Sequence, residues 1–275
     1  MPVPETKNAI HPIAIVKQAG GVYGKNLGRL GAIYLIFNLP ITVISLFPAV
    51  RPLQNQKPSL TTVIWFLFLI AISSWGHIAL LLGTNKAVGG QDYTIGQSIG
   101  QAKAFLVKYL ALILSVTLLV LGILIVAGVS AVVVLAFLAR ARKMLAALIC
   151  FVVLIVVIVS LVFFLLRWSL AALVCVFENA GPIAALKRSF TLVQEHVNPV
   201  VGIYGLMALA YIVCLLPVMI TAALSATTWQ VNQSAQLGTT IYAVLLNIIL
   251  VPFWTTITVV LYRKLQEALE AHVYA

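Results

Sequence analysis

Between Glu195 and Arg263 the chain contains no Lys, Arg, Asp or Glu. Nothing constrains the fold more. A water-soluble domain cannot leave so long a stretch without charge, because too little polar surface would remain to cover it. The rest of the chain agrees. Charged residues make up 8% and hydrophobic ones 63% of its 275 residues, and the mean hydropathy is +1.12. Ordinary soluble domains carry about 25% charged residues. This excludes a soluble enzyme, a DNA-binding domain and a disordered tail, and points to an integral membrane protein.

Crossing a bilayer takes about 20 apolar residues in a helix. Six runs qualify: Leu30 to Val50, Thr61 to Gly83, Tyr109 to Ala139, Met144 to Val176, Pro199 to Ala226 and Leu237 to Tyr262. The polar turn Thr227–Ser234 separates the last two. Backbone groups in lipid must bond within the segment, and the alternation of a β-barrel is missing, so the runs are predicted to be helices. The third and fourth exceed the roughly 30 Å core and must tilt, break or protrude, with Gly122 and Gly128 as candidate break points. The N-terminus is not expected to be a cleaved leader. Lys7, His11, Pro12, Lys17 and Lys25 interrupt it before the first apolar run.

The net charge of +11, from 17 Lys+Arg and 6 Asp+Glu, would suggest nucleic acid in a soluble protein. In a membrane protein it reads as an orientation signal, and no nucleic-acid partner is expected. With six spans, eleven basic residues fall on the side of the termini, among them Lys7, Lys86 and Lys264. Five fall opposite: Arg51, Lys57, Arg140, Arg142 and Lys143. Both termini are therefore expected in the cytoplasm, in a multi-pass protein of the cell (inner or plasma) membrane.

Three surface segments precede the odd-numbered spans. Ile13, Val16, Gly20, Tyr23 and Leu27 form a helical stripe, and Ile183, Leu186, Phe190, Val193 and Val197 repeat it 170 residues later, with Lys17 matching Lys187. A fainter copy runs through Ile95, Ser98, Ala102, Phe105 and Tyr109, opening on the capping-box pattern Thr94 to Gln97. Gly181-Pro182 suits the start of the last one. The expected fold is thus all-α: six spans in a single membrane domain, 1–275. Its three tandem units of interfacial helix plus hairpin cover about 11–83, 93–176 and 182–262, followed by a short cytoplasmic helix, 263–275. Such repeats run parallel, since each contains two spans.

Polar residues within or beside spans mark the candidate sites. Arg167 and Glu178 lie eleven residues apart, hence on one face of an unbroken helix, about 16 Å along its axis. One reading makes this intramembrane charge functional. The other has Arg167 snorkel to the interface and Glu178 pair with Lys187, Arg188 or Arg263. His77, mid-span beside Trp75, is either a relay or one half of an interhelical hydrogen bond. Lys17, Lys25, Arg29, Lys103, Lys108 and Lys187 lie on or beside the surface helices and are the candidate contacts to anionic lipid. Trp65, Trp168, Trp229, Trp254 and Tyr262 are expected as interfacial anchors.

Other patterns lead away from chemistry. Ala19-Gly20-Gly21-Val22-Tyr23-Gly24-Lys25-Asn26 imitates a phosphate loop but lacks its first Gly and its Ser/Thr. A helix-packing face of Gly20, Gly24 and Gly28 is expected instead. Cys150, Cys175 and Cys214 have no metal-ligand spacing. Six acids leave no carboxylate pair for hydrolysis, and HExxH and GxSxG are absent. No enzyme activity, cofactor or metal is expected.

Phe177-Glu178-Asn179-Ala180-Gly181-Pro182-Ile183-Ala184-Ala185-Leu186-Lys187-Arg188-Ser189-Phe190-Thr191-Leu192 resembles the bacterial polytopic proteins grouped with the membrane domain of glycerophosphoryl diester phosphodiesterase. Leu261-Tyr262-Arg263-Lys264-Leu265-Gln266-Glu267 and the segment Ile13 to Pro40 are similar to that family as well. The match departs at Lys264, where the family pattern has an acidic-arginine arrangement, which leaves the ion-pair partner of Glu178 open. The resemblance implies a membrane module without the soluble barrel that carries the phosphodiesterase activity. Two functions follow. One is a scaffold binding anionic lipid or a membrane-protein partner through its basic surface helices. The other is a transporter or permease with a polar cavity near Arg167 and His77.

Overall fold

In the computed structural model the described residues are 11–46, 60–138, 143–228 and 233–273. The basic residues Lys7, Arg51, Lys57, Arg140 and Arg142, the end of the first run and residues 229–232 of the polar turn lie outside them. Nine helices are described: α1 (Pro12–Leu46), α2 (Leu60–Val88), α3 (Ile95–Ala102), α4 (Leu106–Leu138), α5 (Lys143–Trp168), α6 (Ala171–Phe177), α7 (Pro182–Glu195), α8 (Val197–Thr228) and α9 (Gln233–Val273). The three residues Lys103–Phe105 link α3 to α4 as a 3-10 turn. No strand occurs among the described residues.

Among the described residues five helical stretches are long and apolar enough to cross a membrane: Leu60–Val88, Ile95–Ser130, Phe151–Phe177, Val197–Thr221 and Gly238–Ala271. This is the pattern of a multi-pass membrane protein. The first run forms the second half of α1 as far as Leu46, and its last residues are not described. Pro40, Pro217 and Pro252 lie inside helices that continue past them, as membrane helices allow when neighbours supply hydrogen bonds.

Three details correct the expectation. α4 runs unbroken through Gly122 and Gly128. At about 1.5 Å per residue its 33 residues make roughly 50 Å of helix. The fourth run breaks instead at Ser169–Leu170, between α5 and α6. Residues 263–273 form no separate helix but continue α9.

The capping box is present as read. Thr94 Oγ1 accepts from the Gln97 amide at 3.2 Å, and Gln97 Oε1 accepts from the Thr94 amide at 3.2 Å. α7 starts at Pro182, as Gly181-Pro182 suggested. Of the predicted stripes, the middle one holds, with Ser98, Ala102 and Tyr109 buried, while the other two hold only at Tyr23, Leu186 and Val193. Ile13 and Ile183 are both 67% exposed, whereas Ile15, Ala19, Ala185 and Ser189 are buried. In this register three segments match. Ala19, Ser98 and Ser189 are buried at one position. So are Tyr23, Ala102 and Val193, then Leu30, Tyr109 and Val200, then Ile33, Leu112 and Ile203.

The chain divides into two compact units. One comprises Met1–Leu106 with His196–Ala275, the other Val107–Glu195. In the first, α1 packs against α2 and α9, α2 against α3 and α9, and α8 against α1 and α9. Phe37 of α1 stacks on Trp75 with ring centroids 5.4 Å apart. A Cβ on Gly76 would come within 2.6 Å of Phe37 Cβ and Cγ, so glycine is what lets α1 and α2 approach. Gly20, Gly24 and Gly28 have no such role, since nothing lies within 4 Å of a Cβ built on them. In the second unit α7 packs against α5 and α6.

Each surface helix is hydrogen-bonded to the second helix of a hairpin. Tyr23 Oη of α1 donates to the Ile249 carbonyl of α9 at 2.9 Å. Trp75 Nε1 of α2 donates to the Ile99 carbonyl of α3 at 3.0 Å. Ser189 Oγ of α7 donates to the Arg167 carbonyl of α5 at 2.7 Å. Ile249 stands three residues before Pro252, in the turn that proline loosens.

Candidate functional site

In the second unit the candidate residues gather where α5 ends, α6 begins and α7 crosses. Arg167 is the penultimate residue of α5. Its guanidinium carbon lies 4.8 Å from the Phe163 ring centroid and 4.5 Å from that of Phe190. Rings attract a cation through their negative faces, so the charge is held between two aromatics, with no carboxylate against it among the described residues. Arg167 Nη1 is buried and has no hydrogen-bond partner among the described residues. Glu178 follows α6, and its carboxylate lies 3.7 Å from Arg188 Nε. The pairing with Arg188 is one of the three that were open. The shared face with Arg167 does not form, because the helix breaks between the two residues. Asn179 adopts φ 54°, the left-handed conformation that Asn tolerates better than most residues. Lys108 Nζ donates to its Oδ1 at 2.7 Å and to its carbonyl oxygen at 3.3 Å.

A groove of about 710 Å³ opens beside Arg167. Leu118 and Leu119 of α4, Trp168 of α5 and Phe190 of α7 form its apolar wall, and Lys187 and Thr191 bring the polar groups. Lys187 is exposed, and its ammonium makes no ion pair or hydrogen bond among the described residues. Thr191 Oγ1 donates to the Lys187 carbonyl at 3.1 Å.

The first unit holds the other residues and brings them to different partners. Arg263 of α9 clamps Asn85 at the end of α2. Its Nε donates to Asn85 Oδ1 at 3.0 Å, and its Nη2 donates to Oδ1 at 2.7 Å and to the carbonyl at 2.8 Å. Arg29 Nη1 is 3.9 Å from Asp92, and the guanidinium lies 5.6 Å from the Tyr93 ring. Burial pushes the Tyr93 hydroxyl above its ordinary pKa, and Arg29 pulls the other way. Lys103 sits 5.4 Å over the Trp75 ring. His77 is half-buried in α2, next to Gly76. Lys17 and Lys25 are exposed on α1, with no partner for their ammonium groups among the described residues.

Sequence reasoning missed Asn85 and Asn179, both polar residues just where an apolar run stops, which was the available signal. It also placed Tyr262 at the interface, whereas Tyr262 is buried and accepts at Oη from Gln266 Nε2 at 2.8 Å. Cys175 is buried and Cys214 half-buried, both as free thiols. Among the described residues no three His, Cys, Asp or Glu side chains gather into a metal-holding group.

The chain belongs to the family described as Domain of unknown function (DUF7847), whose model matches residues 13–265. No curated protein and no solved structure matches it.

Proposed function

We propose that the chain is a non-enzymatic membrane module that gathers anionic lipid around its basic surface helices. In this reading it spans the cell membrane six times, the second half of α1 supplying the first span. Both termini and the helices α1, α3 and α7 then lie on the cytoplasmic side. The three-fold match of buried positions supports a build of three tandem units. The resemblance to the membrane domain of glycerophosphoryl diester phosphodiesterase fits the same reading, as a membrane part without a catalytic barrel.

One observation carries the proposal. Lys17 and Lys187 occupy matching positions on α1 and α7, both exposed and both without a partner among the described residues, while the opposite faces of the two helices are buried. Amphipathic helices with unpaired cations on the outer face lie on anionic bilayer surfaces, and each basic residue there contributes about 1 kcal/mol. Arg29, Lys103 and Lys108 have local partners, so they contribute less than Lys17, Lys25 and Lys187. The test is the ratio of phosphatidylglycerol to phosphatidylcholine retained around the protein purified from a mixed bilayer. The expected result is enrichment of phosphatidylglycerol, lost when Lys17, Lys25, Lys187 and Arg188 are all replaced by Ala. A retained ratio equal to that of the bulk bilayer overturns the proposal.

A further inference from the structure

We propose that the groove bounded by α4, α5 and α7 is a discrete site for one anionic glycerophospholipid. One acyl chain lies along Leu118, Leu119 and Trp168, and the phosphate sits at Lys187 and Thr191. The inference rests on the lipid-gathering reading above and sharpens it from a surface to a site.

Shape is the first argument. The groove's volume of about 710 Å³ falls within the range of small-molecule sites, about 300–1,000 Å³. A lipid merely lining a protein needs no such concavity. The wall is the second argument. Leu118 is 57% exposed on the protein's own surface, so a bilayer must put hydrocarbon there. Trp168 brings an aromatic ring to the same wall, and indoles favour the level where acyl chains meet headgroups.

Charge selects the headgroup. Basic pockets on the cytoplasmic side of membrane helices hold anionic headgroups. Lys187 reaches this groove without a carboxylate partner among the described residues, and Glu178, the acid that follows α6, is engaged by Arg188. Arg167 adds a second positive charge behind the Phe190 wall, with one buried nitrogen lacking an acceptor among the described residues. A net-neutral headgroup would bring a cation against these two. An anionic phosphate diester with no cation of its own would not. The Thr191 hydroxyl, now donating to the Lys187 carbonyl, turns on its Cα–Cβ bond to donate to a phosphate oxygen instead.

Lys86 is the internal control. It is a basic residue in the last turn of α2 and does not line this groove. The experiment is native mass spectrometry of the full chain released from nanodiscs of mixed phosphatidylglycerol and phosphatidylcholine, counting retained lipids. The wild-type protein is expected to keep one phosphatidylglycerol, Lys187→Ala to lower its occupancy about fivefold, and Lys187→Arg to keep it. Leu118→Trp, which fills the groove, is expected to remove the retained lipid, while Lys86→Ala leaves it in place. Lys187 is exposed, so its variants keep the test valid if Leu118→Trp fails to fold. Retention of phosphatidylglycerol by Lys187→Ala at the wild-type level overturns the site, as does equal retention of phosphatidylcholine. The two proposals fail in different ways. If the wild-type protein shows no preference for phosphatidylglycerol at all, the surface reading falls. If the preference exists and vanishes in the fourfold variant but survives Leu118→Trp, the surface reading stands and the groove does not.

Discussion

The long helices of the two compact units differ in what ties them together. In the first, polar side chains tie helix to helix: Tyr23 to Ile249, Trp75 to Ile99 and Arg263 to Asn85. In the long helices of the second, the hydroxyls of Ser115, Ser130 and Ser160 donate to carbonyls four residues back in their own helix, at 2.7 to 2.8 Å. They join nothing to anything else. The apolar surface follows suit. Ile78 and Leu80 of α2 and Val260 and Leu261 of α9 are almost fully buried, whereas Leu124, Val126, Phe151 and Val159 of α4 and α5 are exposed. Lipid is as apolar as leucine, so hydrophobic residues alone give membrane helices no reason to associate, and packing and interhelical hydrogen bonds must do it. The first unit has these devices. The second presents its hairpin to the bilayer and concentrates its ties around α6 and α7.

Substitutions at the helix contacts of the first unit should therefore be costly, and those along α4 and α5 of the second nearly silent. The largest contrast is between glycines. Gly76→Ala forces a Cβ into Phe37 Cβ, which cannot swing aside, and overpacking of this kind costs about 1–3 kcal/mol. Gly122→Ala meets nothing within 4 Å and should be neutral or stabilising by up to about 1 kcal/mol through helix propensity. Unfolding of the reconstituted protein by SDS reads both, and equal effects would break the comparison. Next comes Arg263→Ala, which leaves the part-buried Asn85 side chain without its donors. The expected loss is about 1–3 kcal/mol. Lysine should not restore it, since a point charge lacks the fork that reaches both acceptors. The smallest pair sharpens the contrast at a single hydroxyl. Tyr23→Phe removes the tie to Ile249 and should cost about 0.5–1.5 kcal/mol. Ser160→Ala removes a bond within one helix and should stay within about 0.5 kcal/mol.

The helices, the capping box and the start of α7 were legible because local chemistry sets them. Thr94, Gln97 and Pro182 act within one turn of chain. The buried faces of α1 and α7 were legible only in part from hydrophobicity, and the reason is physical. In water an apolar stripe turns inward, but beside lipid Ile13, Ile183 and Leu118 can face out without cost. The inward positions are marked instead by small or polar residues, Ala19, Ser98 and Ser189, which let backbones come close. The break between α5 and α6 escaped because Ser169 and Leu170 include neither Gly nor Pro, and the glycines that invited a break at 122 and 128 sit in an uninterrupted helix. Of the site, Arg167, Glu178 and Lys187 were singled out by charge in an apolar context. Their partners Phe163, Phe190 and Arg188 depend on how α7 folds back onto α5 and α6, which no spacing along the chain reveals.

The proposed function requires that α1, α3 and α7 share one face of the membrane and that α1 supply a sixth span. Single cysteines at Gln18, Gln101 and Gln194, all exposed positions on these helices, test this in sealed vesicles of known orientation with a membrane-impermeant maleimide. The native cysteines are replaced by Ala or Ser in the background. All three sites are expected to label from the cytoplasmic side alone. Labelling of Gln18→Cys from the side opposite to Gln101→Cys would mean that α1 does not cross, and would contradict the six-span, three-unit account.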